Sequence, residues 1–115
     1  MDDKVQREAA EVEAAKEKYE KGLTAWAMAN NKEKRNVRTL LSTMHTVLWK
    51  DAAWKPLGLG DVLEAKKVKL NYRKAMLVVH PDRCSNMDSE TKFIAKRIFE
   101  AINEAYDEFV KKENV

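Results

Sequence analysis

The chain has 115 residues, 36% of them charged and 44% hydrophobic, with 3 glycines and 2 prolines; that bounds it to one small domain and excludes general disorder and a many-stranded sandwich or barrel. A formal charge of +3 is too small to imply a nucleic-acid partner by itself, so where the charge sits matters more. No apolar run is long enough to cross a bilayer, Met1-Asp2-Asp3-Lys4 lacks the apolar core of a secretory leader, and the single Cys84 excludes an intrachain disulfide or four-cysteine zinc site and suits a reducing compartment.

Apolar residues recur at helical spacing along most of the chain and no stretch alternates like a strand, which predicts an all-α fold of four helices. The first covers about Asp3 to Asn30. Val5, Ala9, Val12, Tyr19, Leu23 and Trp26 form its stripe, interrupted by Lys16 and Asn30. So imperfect a heptad favours a helix docked on its own domain over a two-chain coil, and Asn30-Asn31 is the expected stop. The second helix runs from about Lys34 to Trp49, with Val37, Leu40, Leu41, Met44, Val47 and Leu48 on one buried face. His45 lies just off that stripe and is expected to pack rather than to bind a ligand.

A loop follows from Lys50 to Gly60, marked by Pro56, Gly58 and Gly60, with Trp54 expected to pin it onto the helices. The third helix is predicted from Asp61 or Leu63 to Val79, burying Val68, Tyr72, Ala75, Met76 and Val79. Pro81 stops it, because a proline disfavours the helical conformation of the residue before it and donates no N–H. After a loop from His80 to about Asn86, the last helix spans about Asp88 to Lys112. Phe93, Ile94, Ile98, Phe99, Ile102, Tyr106 and Phe109 suit antiparallel packing on the third helix. Asp88 or Ser85 caps its start, and Lys111 and Lys112 complement the negative end of its dipole.

Two features carry chemistry. Lys66, Lys67, Lys69, Arg73 and Lys74 fall within nine residues containing no acid, and Lys66, Lys69 and Arg73 share one helical face. Such a face is either merely solvated or a docking surface that attracts an acidic partner. His80-Pro81-Asp82-Arg83 follows directly. The proline stiffens the turn, and an exposed Asp82 carboxylate there can accept a bidentate arginine from another protein. With His45 the other histidine, no metal cluster is expected, and no phosphate cradle, nucleophile elbow or acid–base pair points to an enzyme. A nucleic-acid-binding basic helix is the rival from another class. Acid-rich flanking helices and the absence of an aromatic platform among the bases count against it. Cys84 is expected as an ordinary exposed thiol.

Together the pieces resemble a J-domain, the module that stimulates heat-shock-70 ATPases: a basic helix with Tyr72-Arg73-Lys74-Ala75, then His80-Pro81-Asp82, then a helix carrying Phe93 and Ile102-Asn103-Glu104-Ala105-Tyr106. The run from Asn36 to Trp49, then Trp54-Lys55-Pro56 and Val78-Val79-His80-Pro81-Asp82, is similar to the auxilin and cyclin-G-associated kinase group. Those J-domains sit at the C-terminus of clathrin-uncoating factors and carry an added N-terminal helix and a long loop. The likeness spans roughly residues 20 to 110.

The resemblance implies an extension helix over 1–33 and a J-domain over 34–115, with a loop insertion at 50–61. It implies a hairpin whose core includes Tyr72, Phe93, Ile98, Phe99 and Tyr106. It assigns the trigger of the chaperone's ATP hydrolysis to His80, Pro81 and Asp82. Lys69, Arg73 and Lys74, with Lys66 and Lys67 as outliers, would meet the acidic nucleotide-binding domain, and Leu77 is either an apolar contact there or a partly buried core residue. The protein would cleave nothing itself, need no cofactor, act as a cytoplasmic monomer near clathrin-coated vesicles, and be part of a longer chain. No clathrin- or adaptor-binding peptide is present in these residues, so a J-domain of another branch, unrelated to clathrin, stays the alternative. Arg83 stands where the auxilin group commonly has Lys, and Leu63-Glu64-Ala65 where it has a Thr-Pro helix start.

Overall fold

Helix α1 (Asp3–Ala27) draws on alanine, glutamate and lysine, good helix formers with no β-branched run to oppose them. It belongs to a computed structural model that describes residues 3–28 and 34–114, with side chains from Gln6 onward. The other helices are α2 (Val37–Thr43), α3 (Ala65–Val79) and α4 (Ser89–Glu113), and short 3-10 turns occupy Met44–Thr46 and Leu59–Asp61. Among the described residues there is no strand beyond one antiparallel bridge between Met28 and Lys34.

The packed stripe of α1 differs from the expected one. Ala15, Leu23 and Trp26 are buried and Tyr19 half-buried, whereas Ala9 is exposed and Val12 is 45% exposed. The reason lies in the partner helix. Helix α1 lies along α4, where Arg97 approaches Glu20 and donates to Thr24 Oγ1, and Lys18 and Tyr19 both reach Glu90. Ser89 opens α4, and its hydroxyl meets Glu11 Oε2 at 2.9 Å. Upstream of Glu11 the helix has run past the start of α4, which leaves Ala9 uncovered, while Val12 shares only an open cleft with Ser89, Lys92 and Phe93. Helix α1 ends at Ala27, whose carbonyl accepts from the Arg35 N–H at 3.0 Å. The expected stop at Asn30-Asn31 and the Val5 side chain lie outside the described residues.

Helix α2 is shorter than the predicted span of Lys34 to Trp49. Asn36 caps it, accepting the Thr39 N–H at 2.9 Å. Its end follows from a cluster of hydroxyls. Ser42 and Thr43 both donate to the Thr39 carbonyl, and Thr46 donates to the Thr43 carbonyl at 2.6 Å. Such back-bonding competes with the helical ladder, and the chain tightens into a 3-10 turn. The stripe survives: Val37, Leu40, Leu41 and Met44 are buried, and Val47 and Leu48 half-buried against the core. His45 is exposed on that turn rather than packed, a correction that follows from the change of helical pitch.

The loop after α2 is held down by half-buried Trp54 and Leu57 and by fully buried Val62. Helix α3 starts at Ala65, later than either predicted start, because residues 59–61 are taken up in their own turn. There the Asp61 carboxylate accepts the Gly58 N–H at 2.8 Å. Asn71, a buried polar residue of α3 that periodicity did not single out, donates to the carbonyls of Asp61 (2.9 Å) and Lys67 (3.0 Å) and ties that turn down.

Helices α3 and α4 are antiparallel. Tyr72 stacks on Tyr106 at 3.7 Å and His80 meets Phe99 edge-on at 5.3 Å, so contacts rise along one helix as they fall along the other. Val68, Ala75 and Val79 meet a core with Ile94, Ile98 and Ile102 at its centre. Phe93, Phe99, Tyr72 and Tyr106 are half-buried at its edge, and the last two keep a polar handle in reach of solvent. Full burial of each isoleucine contributes about 1.5–3 kcal/mol. Asp88 is the cap of α4, its carboxylate accepting the Thr91 N–H at 2.7 Å, and Asn114 closes the far end in the left-handed conformation at φ 54°.

Candidate functional site

The hairpin turn is built by one proline. His80 takes an extended conformation (φ −60°, ψ 136°), so α3 stops at Val79 while the His80 N–H still reaches the Met76 carbonyl at 3.0 Å. The chain then folds back. The N–H groups of Arg83 and Cys84 both donate to the His80 carbonyl, at 2.8 and 3.2 Å. The imidazole is fixed from two sides: Nδ1 accepts the Asp82 N–H at 3.1 Å, and the ring meets Phe99 in a T-shaped contact at 76°. An accepting Nδ1 puts the ring proton on Nε2, the nitrogen left free to meet a partner.

Asp82 is the outermost group of this turn. Its side chain is 92% exposed, and among the described residues the one basic side chain within 4.0 Å of its carboxylate is the His80 imidazole, whose Nδ1, itself an acceptor, lies 3.8 Å away. Beneath it sits Cys84, 2% exposed, its thiol donating to the Val78 carbonyl at 3.3 Å. The expectation of an exposed thiol is therefore wrong. The turn closes over the sulfur, and burial raises the thiol's pKa, which makes it a poor nucleophile.

Along α3 the bases stand clear of the core. Lys66, Lys67, Arg73 and Lys74 are exposed and Lys69 half-buried, and among the described residues none of the five forms an ion pair. Lys67 alone is drawn aside, its Nζ 3.5 Å from the Gly60 carbonyl. Leu77 is 58% exposed, which settles its two readings in favour of a surface residue. Leu70, 50% exposed, lies between Lys66 and Arg73 on the same face and was not among the sequence-selected residues. The signal was available: Leu70 falls outside the inner stripe and precedes Leu77 by seven residues, two helical turns. The face is thus basic and aliphatic together.

Position on the fold is shared. Pro81 and Asp82 lie directly past the C-terminal end of α3, so the stripe that ends at Arg73, Lys74 and Leu77 leads into the turn. The arrangement can bind an acidic, partly apolar protein surface and present a carboxylate to a guanidinium at one end. Among the described residues no three His, Cys, Asp or Glu side chains gather as metal ligands would, and no helix is long and apolar enough to cross a membrane.

No family model matches the chain. Individual proteins do. It is 38% identical over 76 residues to the J domain-containing protein required for chloroplast accumulation response 1 of Arabidopsis thaliana, covering 64% of this chain and 12% of that protein. Over 80 residues it is 40% identical to auxilin-related protein 1 of the same plant, covering 68% of this chain and 9% of the relative. Over 76 residues it is 34% identical to the auxilin-like clathrin uncoating factor SWA2 of Saccharomyces cerevisiae, covering 64% of this chain and 11% of that one. The chain spans about a tenth of the length of these relatives.

Proposed function

The chain belongs to the auxilin-like J-domain family, and from that premise we propose that it docks on a heat-shock-70 chaperone and stimulates the chaperone's ATP hydrolysis. The observation that carries this reading is Asp82, a well-exposed carboxylate on a turn braced by the His80 carbonyl and imidazole, at the end of a basic face that forms no ion pair among the described residues. The chaperone performs the chemistry. Lys66, Lys69, Arg73 and Lys74 attract its acidic nucleotide-binding domain, Leu70 and Leu77 supply apolar contact, and Asp82 takes an arginine of the chaperone in a directional pair. His80 holds the Asp82 backbone in place through Nδ1. Docking of this kind favours the chaperone arrangement in which hydrolysis is fast, a population shift set by differential affinity.

We assign the downstream task to clathrin-coat disassembly in the cytoplasm. The support is the yeast relative, which is named as an uncoating factor. A J-domain serving another process is the second reading, favoured by the plant relative named for chloroplast accumulation. A coat-release assay on clathrin cages separates them, preferably with the longer protein in which such a domain sits.

Single-turnover ATPase measurements on purified heat-shock-70 with this chain test the first step. Truncating one member of a desolvated charge pair typically costs about 2–5 kcal/mol. Asp82→Asn and His80→Gln are therefore expected to abolish stimulation while the helical circular dichroism signal stays unchanged. Full stimulation by a folded Asp82→Asn chain, or a basal rate with saturating native chain, would falsify the proposal.

A further inference from the structure

The loop that carries the Asp82 tip also carries a serine that shares a cleft with two lysines. Ser85 is exposed, and its hydroxyl donates only to the Asp82 carbonyl, at 3.3 Å, a long bond at a wet site whose loss costs little. Ser85 lines a cleft of about 410 Å³ between the loop and α4, together with Pro81, Cys84, Phe99, Lys92 and Lys96. Lys92 and Lys96 stand one turn apart on α4, both exposed, and neither forms an ion pair among the described residues. Glu100 closes the far end of the cleft, with Arg97 at 3.9 Å from its carboxylate. Two free ammonium groups beside an exposed serine are a receptor for an anion on that serine.

The surroundings also fit an enzyme that would place the anion there. Residues 83–87 form turns between two helices, so they can be reached and extended at less cost than helical residues. Asp88 follows Ser85 by three positions, and hydrogen bonds from Thr91, its side chain first and its N–H second, hold its carboxyl below the usual carboxylate range. A carboxylate at that offset is a feature that acid-directed protein kinases read. The neighbouring Ser89 is less available: it begins α4 and its hydroxyl is engaged with Glu11.

We propose that Ser85 is the phosphoacceptor of an acid-directed serine/threonine kinase, with Lys92 and Lys96 clasping the phosphate so that modification switches off docking at the Asp82 tip. In the transfer, Ser85 Oγ attacks the γ-phosphorus of ATP. The new O–P bond forms as the bond from the γ-phosphorus to the β–γ bridging oxygen breaks, ADP leaves, and the hydroxyl proton passes to the kinase's base. The product carries about −1.5 to −2 charges at pH 7 three residues from Asp82. It loses the hydroxyl's bond to the Asp82 carbonyl, draws the loop toward α4 and covers the cleft. An acidic partner then meets a tip of greater negative charge and altered shape.

The switch rests on the chaperone reading; the modification and the clasp do not. The whole chain, incubated with a purified acid-directed kinase and ATP, is expected to gain one phosphate on Ser85 by mass spectrometry, and Ser85→Ala none there. In ³¹P titrations the second phosphate pKa should lie lower in the native chain than in Lys92→Gln/Lys96→Gln, by about half a unit or more. In the single-turnover ATPase assay, phosphorylation should raise the half-saturating concentration about tenfold or more. Absent incorporation at Ser85, equal phosphate titration with and without the lysines, or an unchanged half-saturation each overturns the proposal. An unmodified chain that never stimulates the chaperone would instead overturn the chaperone reading, and leave the first two results standing.

Discussion

Asp88 places the start of α4 by accepting one backbone N–H, that of Thr91. Replacing such a cap by alanine typically costs about 0.5–2 kcal/mol, so Asp88→Ala is expected to lower the thermal midpoint by several degrees in a calorimetric scan. Hydrogen bonds from Thr91 also depress the Asp88 pKa in the folded state, the side chain first and the N–H second. A depressed carboxylate stabilises the fold above its unfolded value, about 3.9, and that contribution is lost as the pH falls through the lower folded value. The native chain should therefore lose stability more steeply than Asp88→Ala below about pH 4. Cys84 supplies a second test at this scale. Shielded by the turn and bonded to the Val78 carbonyl, it should resist alkylation by iodoacetamide in the native state and react readily once denaturant opens the loop. Nothing in the sequence around Cys84 shows that burial, because it arises only when the chain folds back onto the His80 carbonyl. The aspartate cap, by contrast, was readable from residue type and position.

Helix boundaries were legible where the cause is local and lost where it is distant. Pro81 ends α3 and Asp88 begins α4 through contacts within a few residues, and both were expected. Helix α2 ends early because Ser42, Thr43 and Thr46 bond to preceding carbonyls, a local cause that apolar periodicity alone hides. The stripe of α1 fades for a reason no window of its own residues contains: α4 begins at Ser89, beside Glu11. This makes a quantitative contrast. Leu23→Ala should cost about 2–5 kcal/mol, whereas Val12→Ala should change stability by less than about 0.5 kcal/mol. Equal losses in urea unfolding would mean that the upper half of α1 is packed after all. For the site, the turn and its bases were visible as sequence, while Leu70 required knowing which side of α3 faces the core.

Across the whole molecule, charge is unevenly divided. Helix α3 contains no acid from Ala65 to Val79, whereas α1 and α4 mix both signs along their lengths. Binding through α3 should weaken as salt rises from about 0.05 to 0.3 M, and Arg73→Glu should weaken it further at the low end. Leu70→Gln, which adds no charge, should leave that salt slope in place and reduce the affinity that persists at high salt, since apolar contact is not screened. Isothermal titration against the chaperone at several salt concentrations would show both; a Leu70→Gln chain as tight as the native one at high salt would leave the aliphatic contribution without support. The architecture also has a long-range strut. Arg38 of α2 grips Glu113 in the last turn of α4 through two bonds of 2.7 and 3.0 Å, and its Nε donates to the Val62 carbonyl at 2.9 Å. A chain trimmed just ahead of Glu113 would keep every residue of the tip yet lose the far anchor of this guanidinium. Faster amide exchange should then surface some fifty positions upstream, around Gly58 to Val62, where the protein had looked independent of its own tail.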